Sequence, residues 1–198
     1  MALDVAGLNT AIATAFLEQS WATFASGVAT AVNTFVLTGT VSTTVTGTLT
    51  NIASGATSPG TGTGTGTIAT SGPTSMIAPI TTACAKAVWA TVGTDIGTAI
   101  DDNVKTIVVS MTGTTGALLG VLPTYSAVVV VNTTSAKAGL TSSLESYFIS
   151  GDTWAVIVPQ IVTAIQTYVT SIVITTTDTD TGSIPGFTWI GAGTGSII

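Results

Sequence analysis

A Trp-Ala pair occurs at residues 21, 89 and 154, and each copy opens a segment with the same internal spacing. Aligned without gaps, WATFASGVATAVNTFVLT, WATVGTDIGTAIDDNVKT and WAVIVPQIVTAIQTYVTS place Val28, Ile96 and Ile161 seven positions after Trp. Thr30-Ala31, Thr98-Ala99 and Thr163-Ala164 follow at nine and ten. Val32, Ile100 and Ile165 stand at eleven, and Val36, Val104 and Val169 at fifteen. Spacings of 68 and 65 residues between tryptophans mark a tandem supersecondary unit. Whatever one copy folds into, the chain must accommodate three times.

Offsets of seven, eleven and fifteen define one face of a helix. Ala31, Ala99 and Ala164 on that face permit close backbone approach. Pro159 suits a first helical turn. The matching positions hold Ser26 and Thr94, suitable N-caps, with Asp95 beside the second. Helices are therefore predicted to start near Gly27, Asp95 and Pro159. Trp21, Trp89 and Trp154 then fall just before them, as buried anchors at helix–helix junctions. Together with the three alanines they are the structural anchors of the repeat. Another apolar stretch of helical character precedes each Trp: Gly7–Gln19, Met76–Val88 and Leu140–Ser150. Phe16, Cys84 and Ile149 lie five residues before Trp, so Cys84 is expected as a buried hydrophobe.

Each second helix is followed by a β-prone stretch, Thr40–Thr50, Thr106–Thr112 or Ser171–Thr181. A further piece closes each unit: GTGTGTIAT from Gly62, SAVVVVN from Ser126 and FTWIGAGTGSII from Phe187. Linkers are expected at 52–61, 71–74 and 133–139. The predicted fold is α+β: three tandem helix-helix-strand-strand repeats forming a compact, assembly-prone chain. The units span 1–70, 71–135 and 136–198.

Composition narrows the function. There is no His, one Cys and only three basic residues in 198. A His-based triad, a His–metal site, an intrachain disulfide and a Cys-rich metal site are all excluded. Three scattered lysines cannot form a nucleic-acid footprint. The most apolar segment, from Trp154 to Ile174, contains Pro159, Gln160 and Gln166, and its counterpart after Trp89 holds Asp95, Asp101, Asp102 and Lys105. No membrane span is expected. The amino-terminal segment carries Asp4 and no basic residue, unlike a signal peptide.

GTGTGTG lacks the Gly-Lys-Ser/Thr ending of a phosphate loop and reads as a Gly/Thr strand. Asp178 and Asp180 resemble the start of a calcium loop, but Trp189 stands where a bidentate Glu is required. Asp101 and Asp102 are adjacent on a helix and point about 100° apart, which reads as a solvated face rather than an acid/base pair. No catalytic residue, cofactor or metal is expected.

The opening MALDVAGL, the Ala29–Val36 helix end followed by the Thr/Val strand Thr38–Thr48, and the closing G-x-G-T-G-[TS]-I of Gly62–Ile68 and Gly191–Ile197 resemble small Gly/Thr-rich bacteriophage virion structural proteins. Such proteins often carry Lys after the last glycine, where this chain has Thr67 or Ser196. The resemblance implies a neck, tail, baseplate or capsid-decoration component and no catalytic residues. Its partners would be other copies of itself and other virion proteins, and its place the virion, assembled in the host cytoplasm.

Charged residues are only 6%, so neighbours can cover this surface while stripping few ions of water. The Thr-rich strands are expected to offer open edges with few Lys or Pro to guard them. The alternative is a secreted or cell-surface adhesin or surface-layer protein, which shares the Thr/Gly richness.

Overall fold

A computed structural model of the chain describes residues 2–18, 20–117, 120–181 and 187–198, with side chains in all of these except 111–117, 120–128 and 178–181. Six helices and six strands occur among the described residues, the mixture expected of an α+β chain. The first quarter of the elements comprises α1 (Val5–Ala15), α2 (Trp21–Thr38) and β1 (Thr40–Asn51). Next come β2 (Thr57–Ala69), α3 (Thr74–Ala85), α4 (Trp89–Val104), β3 (Val108–Ala117) and β4 (Gly120–Asn132). The chain ends with α5 (Thr134–Ile149), α6 (Trp154–Thr170), β5 (Val173–Thr181) and β6 (Phe187–Ile197). Two compact units result. The helical one gathers residues 1–39, 70–107 and 133–172, and the strand one gathers 40–69, 108–132 and 173–198.

In the helical unit each helix packs against the next in sequence, and α6 packs back against α1, so the six form a closed cycle. The buried face of α2 comprises Phe24, Val28, Ala31, Val32, Phe35 and Val36, the face read from the spacing. Its counterparts on α4 and α6 include Ile96, Ala99, Ile100 and Val104, and Ile161, Ala164, Ile165 and Val169. Helices α4 and α5 approach closely. A Cβ on Gly93 would overlap the backbone of Leu144 and Glu145, and one on Gly97 would come within 3.1 Å of Thr141 Cα. Only glycine permits that approach.

The helix starts differ from the expected ones. Trp21, Trp89 and Trp154 are themselves the first helical residues, and Gly27, Asp95 and Pro159 lie well inside. Ser20, extended, accepts a hydrogen bond from the Thr23 N–H at 3.2 Å and caps α2. Pro159 costs α6 one backbone hydrogen bond, as Pro79 does α3. The expected linker 133–139 is largely the first turns of α5, whose run of small residues mimics a loop.

The strand unit is a closed antiparallel barrel in sequence order, β6 pairing back to β1. The Thr-rich strands β1 and β2, expected to present open edges, are each paired on both sides among the described residues. On β1, Val41, Thr43, Val45 and Leu49 are buried and alternate with exposed Ser42, Thr44, Thr46 and Thr48. On β2 the glycines point inward and the threonines outward: Gly64 and Gly66 are buried, Thr61, Thr63, Thr65 and Thr67 exposed. A barrel of about eight strands is just wide enough for side chains to fill, so six strands leave less room. Glycine at alternate inward positions makes space for the fully buried Trp189. A Cβ on Gly191 would stand 2.7 Å from its Nε1, and one on Gly47 2.6 Å from its Cζ2. GTGTGTG is thus a strand, as read from its lack of phosphate-loop residues. Asp178 and Asp180 stand in β5 opposite Gly191 and Trp189, but their side chains lie outside those described.

No described helix is long and apolar enough to cross a membrane.

Candidate functional site

The three tryptophans do not anchor the core. Trp21, Trp89 and Trp154 are 43%, 39% and 44% exposed. A side chain on a helix tilts toward the amino terminus, so Trp at the first helical position projects beyond the helix end rather than into the bundle. There the rings find one another. Ser20 and Thr153, both extended, turn the chain into α2 and α6 immediately before Trp. Ala31, Ala99 and Ala164 are buried, at 4%, 4% and 7% exposure.

Three phenylalanines complete the arrangement. Phe16 ends α1, Phe24 lies one turn after Trp21, and Phe148 sits in the last turn of α5. The six rings form one connected cluster, in which Phe16 also contacts Phe148 at 6.4 Å. Phe16 contacts Phe24 at 4.9 Å between centroids, Phe24 contacts Trp21 at 6.1 Å and Trp21 contacts Trp89 at 6.0 Å. Trp89 stacks on Phe148 at 6.4 Å, Phe148 meets Trp154 at 6.5 Å, and Trp154 returns to Phe16 at 4.6 Å. This aromatic collar lines a cavity of about 120 Å³, together with Glu18 and Cys84. Residues from α1 to α6 are thus drawn to one end of the helical unit by contacts between turns distant in sequence.

Cys84 occupies the wall of this cavity and is 1% exposed. Burial pushes its thiol up to about 11, which keeps it protonated and a poor nucleophile at neutral pH. The expectation of a buried hydrophobe holds. In the sequence the collar is marked only by Phe16, Trp21 and Phe24 at spacings of five and three.

A second polar feature lies deeper in the same unit. Asp101, expected on a solvated face, is 3% exposed. The Tyr168 hydroxyl donates to its Oδ1 at 3.0 Å, and Lys137 Nζ lies 3.4 Å from Oδ2. Burial, then the Asp101 charge and hydrogen bond, raises the Tyr168 hydroxyl far above the ordinary tyrosine range. Asp102 faces solvent beside Lys105 as expected. Asp101 therefore ties α4 to α5 and α6. In the corresponding place twelve residues after Trp21, Asn33 Oδ1 accepts from the Thr70 hydroxyl at 2.6 Å. Asn103 donates to Gly72 O at 2.9 Å and to Ser75 Oγ at 2.7 Å. These pins hold helices together; they expose no nucleophile and no acid/base pair.

Two longer grooves run along helix hairpins. One of about 530 Å³ lies between α1 and α2, floored by Gly7, Ala11, Ala15, Gly27 and Ala31. The other, about 410 Å³, lies between α5 and α6 and is lined by small side chains with Tyr147 and Tyr168. In the barrel, Thr43 Oγ1, Thr176 Oγ1 and Trp189 Nε1 are buried without a hydrogen-bond partner among the described residues.

No family model matches the chain, and no curated protein or solved structure matches it.

Proposed function

We propose that this chain is a non-enzymatic structural subunit of a bacteriophage particle, present in many copies in the neck, tail, baseplate or capsid decoration. On this reading it is built from three tandem helix-helix-strand-strand units and contacts copies of itself and other virion proteins. The observation that carries the proposal is the exposure of large apolar side chains on both compact units of a chain with 6% charge. Leu17 is 83% exposed and Val88 51% on the helical unit, and Ile190 is 67% and Val108 64% on the strand unit. Apolar surface rimmed by small polar residues suits permanent contacts. The hairpin grooves floored by Gly and Ala add concave surface that another backbone can approach. The repeat is supported by the recurring element order and by the equivalent positions of the three tryptophans and three alanines.

Mass spectrometry of purified particles from the source tests the assignment. Recovery of the chain as a multi-copy particle component is expected. Its absence from particles together with recovery from a cell-surface fraction would replace this reading with the adhesin or surface-layer alternative.

A further inference from the structure

We propose that the aromatic collar at the helix turns is a binding site for a compact organic cation, a quaternary or methylated ammonium group. Six aromatic rings, from four helices and the turn that ends α1, form one connected cluster and all line one cavity. The faces of aromatic rings carry negative quadrupole potential, and clustered rings hold alkylammonium groups by cation–π attraction combined with burial of their methyls. Among the described residues the one charged residue lining the cavity is an acid, Glu18. The neighbouring base, Lys86, is drawn to Asp95 on α4 at 3.7 Å and does not line the cavity. The site therefore selects positive charge and disfavours anions.

Size narrows the ligand. A cavity of about 150 Å³ holds one benzene, so about 120 Å³ admits a trimethylammonium head and excludes a sugar ring carrying its hydroxyls. Among the described residues the lining of six rings, one thiol and one carboxylate also offers few hydrogen-bond partners for such hydroxyls. Trp21, Trp89 and Trp154 are half-exposed, so a ligand can enter without unfolding a helix. Their placement at helix starts also explains why large rings remain in solvent when the adjacent helix faces bury smaller side chains completely. The inference concerns the collar alone and does not depend on a place in a virion.

The test uses the intact protein with choline as probe and 3,3-dimethyl-1-butanol, its neutral isostere, as control. Tryptophan fluorescence and ligand-observed NMR should report saturable choline binding, with the isostere about tenfold weaker. Glu18→Gln, at an exposed rim position, should weaken choline about threefold without altering the helical circular dichroism. Trp89→Leu should abolish saturation while leaving the fold intact by the same measure. Should Trp89→Leu fail to fold, Trp21→Leu serves the same purpose. Equal binding of choline and its isostere would mean a merely apolar cavity and would overturn the proposal. Absence of saturable choline binding to the folded wild-type protein would overturn it as well.

Discussion

Cys84 illustrates how position rather than residue type sets behaviour. Its neutral thiol is favoured by burial, so the folded chain retains a proton that the unfolded chain releases between about 9 and about 11. The stability this contributes is complete below the lower value and is lost as pH rises through the upper. Denaturation midpoints should therefore fall over that window, and less steeply in Cys84→Ala, which has no thiol to titrate. A polar thiol reagent should modify Cys84 slowly in the folded protein and quickly after denaturation. At Tyr168, replacement by Phe leaves the buried Asp101 carboxylate without its hydroxyl donor. The expected loss is about 1–3 kcal/mol in chemical denaturation. No loss would mean that Lys137 and solvent satisfy Asp101 unaided.

The packing of elements depends on where side chains are missing. Gly93 and Gly139 both lie inside helices, yet the first would drive a Cβ into α5 and the second has open space around it. Gly93→Ala should destabilise by about 1–3 kcal/mol or more through overpacking. Gly139→Ala should stabilise by about 0.4–1 kcal/mol by restricting the unfolded chain. Opposite signs from the same substitution would establish the α4–α5 contact; a gain at Gly93 would refute it. The tryptophans belong to this scale too. Burial at a junction would imply a cost of about 3–5 kcal/mol for each Trp→Ala change. With some two-fifths of each ring exposed, roughly 2 kcal/mol is expected, measured by urea midpoints. Each ring also touches others, so double replacements should be non-additive.

For the molecule as a whole, closure changes the route to assembly. A sheet with free edges would recruit neighbours by backbone pairing, but here β1 and β6 satisfy one another, with the Thr40 N–H bonded to Ile198 O at 3.0 Å and the Ile198 N–H to Thr40 O at 2.9 Å. The proposed assembly must therefore use side-chain faces: exposed apolar groups, the Thr-covered outside of the barrel and the hairpin grooves. Three cations per chain leave few ion pairs for salt to screen. Light scattering at low micromolar concentration should show oligomers that persist in molar salt. A monodisperse monomer in both conditions would contradict self-assembly through these faces.

Periodicity made the helix faces legible without a structure. Val28, Val32 and Val36 and their counterparts could bury together only on a helix, and the alternation of Thr with Val and Gly implied strands. The α+β class and the burial of Cys84 and the three alanines were accessible because they depend on neighbours within one element. The helix starts, the solvent exposure of the tryptophans, the burial of Asp101 and the closure of the strands into a barrel were not. Each depends on contacts between segments far apart in sequence. Asp101 meets Tyr168 across 67 residues, and β1 meets β6 across most of the chain. A local pattern records which side of an element is apolar. Only the closing of the helix cycle and the barrel decides which ends remain in water, which charges are enclosed and which rings converge on a single cavity.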